Sequence, residues 1–301
     1  MRLIVALRAT GRAARLARTL AQPSKNAPVS RQYHLQCAPG DVGGYVLLPG
    51  DPARCALIAE RFTDARLVAA NREYTTYTGL LDGTPVSATS TGIGGPSTAI
   101  AVEELCNLGA HTLIRVGTCG GMQPAVRWGD VILAQAAVRD EGTTFQYVPP
   151  GYPAVAHAEV LDALRGAAAE QKPPHHVGLV QSKDSFYGEM EPDRMPVAAE
   201  LRQRWDAWVR AGVLASEMEC ATLFVVAAVR GARAGAALVC VNETPLTRPM
   251  PPPSELPLGD LLDTATGAVR RLIALDAGRG GPPAMPATPL STRPGTAPGA
   301  G

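Results

Sequence analysis

Thr91-Gly92-Ile93-Gly94-Gly95-Pro96-Ser97 runs into an apolar helical stretch that ends near Leu108, and Thr112-Leu113-Ile114-Arg115-Val116 then runs straight into Gly117-Thr118-Cys119-Gly120-Gly121. Pro96 and Ser97 suit the first turn of a helix. The second run reads as a buried strand halted by glycine. Working outward, the same alternation continues on both sides. Upstream, Tyr45–Leu48 is a short strand stopped by Pro49-Gly50-Asp51-Pro52, and strands at Arg72–Gly79 and Pro85–Ser90 flank the hairpin signal Asp82-Gly83. Downstream, strands at Asp130–Val138, Val177–Gln181 and Ala236–Val241 alternate with helices over 155–170, 197–211 (carrying Trp205 and Trp208) and 258–275. Strands alternating with helices predict a three-layer α/β/α fold with a central mixed β-sheet.

Composition narrows the function classes. The chain has 301 residues, 46% hydrophobic and 18% charged, and its 28 basic groups nearly balance 27 acidic ones. That balance argues against a broad nucleic-acid or membrane surface. No run approaches the roughly 18 apolar residues of a membrane span. Cys37, Cys55, Cys106, Cys119, Cys220 and Cys240 form no CxxC pair and have no histidine at ligand spacing, so a zinc site is not expected. They read as reduced intracellular thiols.

The two ends differ from the body. Residues 1–40 hold six Arg and one Lys, with no acid before Asp41; Arg8, Arg12 and Arg15 share a helical face. Residues 1–30 are therefore expected to be a basic extension, either a transit peptide or translation from an upstream start codon. Residues 277–301 hold six Pro and six Gly and are expected to be disordered, leaving a working domain over 31–276. An intracellular, cytoplasmic protein is expected, or a mitochondrial or plastid one if the extension is a transit peptide.

In open α/β sheets, ligands bind at the carboxyl ends of strands. Three such ends here join glycine to a charged or hydroxyl group: Pro49-Gly50-Asp51-Pro52-Ala53-Arg54, Gly92-Ile93-Gly94-Gly95 and Arg115-Val116-Gly117-Thr118. Glycine lets backbone N–H groups approach an anion, and the forks of Arg54, Arg72 and Arg115 match phosphate oxygens. Arg115 lies inside an apolar strand, where burial demands a partner. Neither GxGxxG nor GxxxxGK[ST] occurs, so no dinucleotide or Walker-type site is supported. In Ser216-Glu217-Met218-Glu219-Cys220, two carboxylates open an apolar helix; they either favour its dipole or bind vicinal hydroxyls, with Met218 against an apolar ligand face.

Seven motifs, in one order over roughly residues 34–276, resemble uridine phosphorylases of the nucleoside phosphorylase family. They are Pro49–Arg54, Ser90–Leu105, Arg115–Gly120, Gly129–Leu133, Val138–Thr143, Ser182–Tyr187 and Glu217–Glu219. The resemblance implies the nucleoside phosphorylase fold, assembled as dimers within a hexamer. It implies a phosphate site of Gly50, Arg54, Arg115 and Thr118, with Arg72 donated by a neighbouring subunit. Ribose would lie over Met218, its hydroxyls held by Glu219 with Glu217 nearby and by His34 across the dimer interface. Phe186 would edge the base. Catalysis would rest on Arg115, Glu219 and Arg194, with no metal and no cofactor, inorganic phosphate being the co-substrate.

The chain departs from the family at the base end. Glu189 stands where the family usually has Gln, and an ionised Glu accepts from a ring N–H but donates to no carbonyl. Arg194 matches an arginine position of one branch and is expected to supply the missing donor; Glu191 occupies the position used by another branch. Glu243 falls where related purine phosphorylases carry an acid. Uridine is the expected substrate and purine nucleosides the alternative; a nucleoside hydrolase and a non-catalytic relative stand as further alternatives. Pro245–Pro257, with six prolines, reads as either a flap over the nucleoside or a stiff connector.

Overall fold

The structure, a computed structural model, describes residues 31–243 and 252–282. The basic extension over 1–30 and most of the C-terminal tail lie outside the described residues, as does the greater part of the proline-rich run. Among the described residues there are ten strands and seven α-helices. In chain order they are β1 (Tyr45–Leu48), α1 (Pro52–Ala59), β2 (Thr63–Asn71), β3 (Tyr74–Leu81), β4 (Thr84–Thr89), α2 (Gly95–Asn107), β5 (Thr112–Gly121), β6 (Val131–Asp140) and β7 (Ala154–Val155). There follow α3 (Ala158–Gln171), β8 (His175–Lys183), α4 (Phe186–Met190), α5 (Ala198–Arg210), β9 (Ala215–Glu217), α6 (Cys220–Arg230), β10 (Arg233–Asn242) and α7 (Gly259–Arg279).

The strands form one mixed sheet. β1 pairs in parallel with β4 and β5, β10 in parallel with β5, and β6 in parallel with β8, while β2, β3 and β4 form an antiparallel meander. β10 also pairs antiparallel with β6, and β9 bridges β8 to β5. The path β5–β10–β6–β8–β9 therefore returns to β5. Five strands close into a ring, a non-local closure that the open-sheet reading did not contain.

Alternating side chains of the central strands feed two cores. Leu48, Leu113 and Leu238 pack on one side with Val102, Leu105, Phe224 and Val225 of α2 and α6. Leu47, Ile114 and Val239 pack on the other with Ile58, Val160, Leu164, Leu261 and Leu272 of α1, α3 and α7. Both faces are covered, so the strands read as continuous apolar runs. Each such buried side chain contributes about 1.5–3 kcal/mol relative to exposure. These are the three layers expected.

One polar cluster ties the second helical layer to the sheet. Arg233, at the start of β10 and 1% exposed, donates to Asp276 of α7 at 2.5 and 2.9 Å, to Glu159 of α3 at 3.1 Å and to Thr112 Oγ1 of β5 at 2.7 Å. Tyr45 Oη also donates to Asp276, at 2.6 Å. α7 runs three residues past the expected boundary at 276, to Arg279, whose guanidinium pairs with Glu159 at 2.5 Å. Residues 277–279 are thus helical, not disordered: Gly280, with φ of +80°, caps the helix in the left-handed conformation glycine accepts readily.

The hairpin signal is realised as Asp82 and Gly83 at φ of +52° and +78°, the primed turn that matches strand twist. α1 follows directly on the turn expected at Pro49–Pro52 and was itself not expected. It forms because Asp51 caps it, accepting from Ala53 N–H at 2.9 Å, and Pro52 occupies its first turn. Among the described residues, no helix is long and apolar enough to cross a membrane.

Candidate active site

The ends of β1, β4, β5, β8, β9 and β10 surround a cavity of about 670 Å³. It brings together Gly50, Arg54, Arg115, Thr118, Phe186, Glu189, Glu217, Met218 and Glu219, nine of the thirteen residues singled out from sequence. His34, Arg72, Arg194 and Glu243 do not line it.

Backbone geometry opens one wall. Gly92 N–H donates to Gly50 C=O at 3.1 Å, joining the loops after β1 and β4. Gly92 takes φ of +70°, and a Cβ there would lie 2.7 Å from Glu73 Cγ, so both conformation and space require glycine. Arg54, on α1, has no ion-pair partner among the described residues. Burial, with Arg115 adding, draws its pKa below the usual arginine value against the pull of Asp51 and Glu219. An uncompensated guanidinium facing a cavity is what an anion site requires.

Arg115 is the reverse case. It is 5% exposed, and its Nε lies 2.9 Å from Glu217 Oε2 while an Nη lies 2.5 Å from Glu219 Oε2. Burial works against its charge, but Glu219 and Glu217 outweigh that and hold its pKa above the ordinary arginine value. The partner that sequence demanded is thus a pair of carboxylates.

Those carboxylates divide in role. Glu217 ends β9, and its oxygens accept from Ser182 Oγ–H, from Glu219 N–H at 2.8 Å and from Cys220 N–H at 2.9 Å, besides the ion pair with Arg115. Its acceptor capacity is filled inside the protein, so it acts on Arg115 and on the start of α6 rather than offering itself to a sugar. α6 begins at Cys220, after the two acids, because Ala215–Glu217 is drawn into strand β9. Glu219 Oε1 accepts from Gly94 N–H at 2.5 Å and Oε2 is ion-paired with Arg115, leaving lone pairs on both oxygens. Burial, reinforced by Glu217, raises the Glu219 pKa above its ordinary value, against Arg115 and the Gly94 amide.

At the β8–α4 side, Glu189 is neither isolated nor served by Arg194. Its Oε2 lies 2.9 Å from Lys183 Nζ and accepts from Ser216 Oγ–H at 2.6 Å, while Lys183 also donates to Ser216 Oγ at 2.6 Å. Arg194 lies in a short 3₁₀ turn, its side chain 67% exposed and paired with Glu191. This corrects the expectation that Arg194 supplies the missing donor. Glu243 Oε1 accepts from Trp128 N–H at 2.7 Å, away from the cavity lining, and the neighbouring Asn242 lines the cavity in its place.

His34 and Arg72 share an edge outside this chain's cavity. Glu104 accepts from His34 N–H and Leu35 N–H at 3.1 and 2.8 Å and pairs with His34 Nδ1 at 2.7 Å; Asn71 Nδ2 donates to His34 C=O at 2.7 Å. Arg72 is exposed with φ of +54°, a strained value for a non-glycine residue. Lys183, Ser216 and Asn242 went unread in the sequence. Lys183 was legible only as part of Ser182–Tyr187, with no signal for a role.

The phosphorylase superfamily model matches residues 45–272 of this chain. The chain is 49% identical over 249 residues to a uridine phosphorylase of Treponema pallidum, covering 82% of this chain and 96% of that protein. It is 51% identical over 206 residues to a uridine phosphorylase of Thermococcus kodakarensis, covering 68% and 74%. A guanosine phosphorylase of Halorubrum lacusprofundi is 42% identical over 208 residues, covering 69% and 82%.

Proposed function

The chain belongs to the phosphorylase superfamily, and from that premise we propose that it is a uridine phosphorylase, converting uridine and inorganic phosphate to uracil and ribose 1-phosphate. The observation that carries this reading is a single cavity in which an uncompensated cation, Arg54, and the buried Arg115 adjoin a carboxylate with open lone pairs, Glu219.

In this reading, Arg54, Arg115, Thr118 and the backbone at Gly50 hold phosphate beneath C1′. Glu219 accepts from the ribose hydroxyls, Met218 packs on the sugar and Phe186 edges the base. As the C1′–N1 bond opens, positive charge grows on the ribosyl ring, where bound phosphate stabilises it and then attacks C1′. The electron pair leaves with the base. The chemistry calls for no metal or organic cofactor. The purine alternative is weaker because Glu243, the acid it would use, is bonded to the Trp128 amide.

We further infer an intracellular, cytoplasmic enzyme of pyrimidine salvage and a dimer-based homo-oligomer, a hexamer, in which His34 and Arg72 complete the neighbouring subunit's site. Their common edge and their absence from this chain's own cavity support that assembly.

The test is base release from uridine and, separately, inosine by the full-length protein, with and without phosphate. Phosphate-dependent release of uracil is the expected result. Release without phosphate would mean a hydrolase, phosphate-dependent cleavage of inosine alone a purine enzyme, and no release from either a non-catalytic relative.

A further inference from the structure

Lys183 closes strand β8 and is 8% exposed. Its ammonium, the Ser216 hydroxyl and one oxygen of Glu189 form a closed triangle of contacts at 2.6, 2.6 and 2.9 Å. One Lys183 proton goes to Ser216 Oγ and the ammonium is ion-paired with Glu189; it has no further partner among the described residues. Glu189 Oε1 likewise has none. Both residues line the 670 Å³ cavity, as Phe186 does, and both also line a second cavity of about 820 Å³. Beside them, the buried side-chain oxygen of Asn242 is without a hydrogen-bond partner.

An ammonium proton and a carboxylate oxygen held side by side form a donor next to an acceptor. Their complement is an acceptor next to a donor, which is the lactam edge of a base, a carbonyl oxygen adjoining a ring N–H. Uracil offers that edge through its N3–H and a flanking carbonyl. Cytosine presents the reverse order, an amino group beside a ring nitrogen lone pair, and would set lone pair against carboxylate and N–H against ammonium.

We propose that Lys183 and Glu189 together read the lactam edge of the base, and that Lys183, not Arg194, takes up the negative charge of the departing uracil. This rests on the uridine phosphorylase reading. When the C1′–N1 bond breaks, its electron pair passes into the ring and onto the carbonyl oxygens. A phosphate oxygen forms the new bond to C1′, and uracil regains a proton at N1 from water. A cation fixed by Glu189 and Ser216 is already oriented toward the charge that develops and needs no reorganisation as it forms. Glu189 keeps the lysine in place and accepts from N3–H.

The experiment compares the full-length wild type with Lys183→Met, Lys183→Arg and Glu189→Ala on uridine, 5-fluorouridine and 3-methyluridine, at saturating phosphate. Fluorine makes the base a better leaving anion, and the 3-methyl group removes the N–H. Lys183→Met is expected to lose about 10²-fold in kcat on uridine, in the range for removing one charge-stabilising donor. Its loss on 5-fluorouridine should be several-fold smaller, and Lys183→Arg should recover part of the rate. The wild type should discriminate strongly against 3-methyluridine, and Glu189→Ala should narrow that ratio. Equal losses on uridine and 5-fluorouridine, or wild-type cleavage of 3-methyluridine at the uridine rate, would overturn the proposal while leaving uridine phosphorolysis intact. Failure of the wild type to cleave uridine would instead overturn the reading beneath it. Phosphate affinity, measured by calorimetry, should be unchanged in Lys183→Met; a loss there would mark general collapse of the site and remove the specific role.

Discussion

The guanidinium of Arg115 occupies the space that a side chain at Gly117 would fill: a Cβ placed there would lie 2.7 Å from Arg115 Cζ and 2.7 Å from one of its Nη atoms. The two residues point to the same face of β5, two positions apart. The glycine after this arginine therefore serves packing, since it clears the position from which Arg115 reaches both Glu217 and Glu219. Gly117→Ala should leave the fold in place but displace the guanidinium. We expect kcat/KM for uridine to fall about 10²-fold, the cost of a displacement of about 1 Å at a reacting site. The loss should appear mainly in the phosphate dependence, and steady-state kinetics at varied phosphate checks it.

Removing Arg115 itself should do two things at once. Arg115→Ala leaves two buried carboxylates without their cation, at a cost of about 3–5 kcal/mol. It also removes a phosphate-positioning group, so kcat/KM should drop by orders of magnitude. Chemical denaturation and kinetics on the same preparation separate the two effects. Adding Glu219→Gln to Arg115→Ala should restore stability without restoring activity.

The raised pKa of Glu219 has a consequence for pH dependence. The carboxylate must be ionised to accept from the ribose hydroxyls and hold Arg115, and burial makes ionisation harder. Activity should therefore fall on the acid side at a pH above the ordinary glutamate value of 4.5. The measurement is kcat/KM for uridine against pH at saturating phosphate. Glu219→Gln should be slow and should lack that limb.

Asp276 works in the opposite sense. Burial disfavours its charge, but hydrogen bonds from Arg233 and Tyr45 outweigh that and hold its pKa below the ordinary aspartate value. A depressed folded-state pKa means stability that is present above the unfolded value and lost as pH falls through the folded one. Asp276→Asn should flatten the acid limb of a plot of Tm against pH, below about pH 4. Asp276→Ala, which leaves buried Arg233 with Glu159 as its remaining carboxylate partner, should cost about 1–3 kcal/mol near neutrality, the range for stranding buried donors. Neither should change kcat at 25 °C, because the cluster lies on the α7 side of the sheet, away from the cavity.

If His34 completes a neighbouring site, two inactive variants should complement each other. His34→Ala and Arg115→Ala, mixed after dissociation and reassembly, would place both lesions in one site of each mixed dimer and leave the other site whole. Activity should recover to roughly a quarter of wild type in a statistical mixture of dimers. No recovery would place His34 in its own subunit's chemistry or in none.

What the sequence disclosed follows the range of the interactions. The strands are legible where alternate residues feed two cores, as at Leu47 and Leu48 or Leu113 and Ile114, because period and apolarity are local properties. Arg115 was legible as a buried charge in want of a partner, since an arginine amid Leu, Ile and Val violates its surroundings. The identity of that partner was not, because Glu217 and Glu219 lie about a hundred residues further along the chain. β2 escaped because its side chains are largely exposed and carry no core pattern. The pairing of β10 with β5 escaped because ring closure is written in no single segment. Arg194 misled for a related reason: a motif position fixes where the backbone runs, whereas Glu191, three residues before it, decided where the guanidinium went. Lys183 stood in plain view inside a quoted motif, yet its meaning depended on Glu189 and Ser216 arriving from two other elements.

Lys183 and Glu189 line both cavities, the base compartment and its neighbour. The depth of the base compartment is accordingly a matter of rotamers. A substitution that shortens either residue enlarges the compartment toward a ready-made space without disturbing a strand, a helix or the anion-binding end. Substrate range in this scaffold can therefore shift by single side-chain changes at this wall while the anion-binding end stays fixed, with a change at Lys183 altering the departure of the base as well as the room it has.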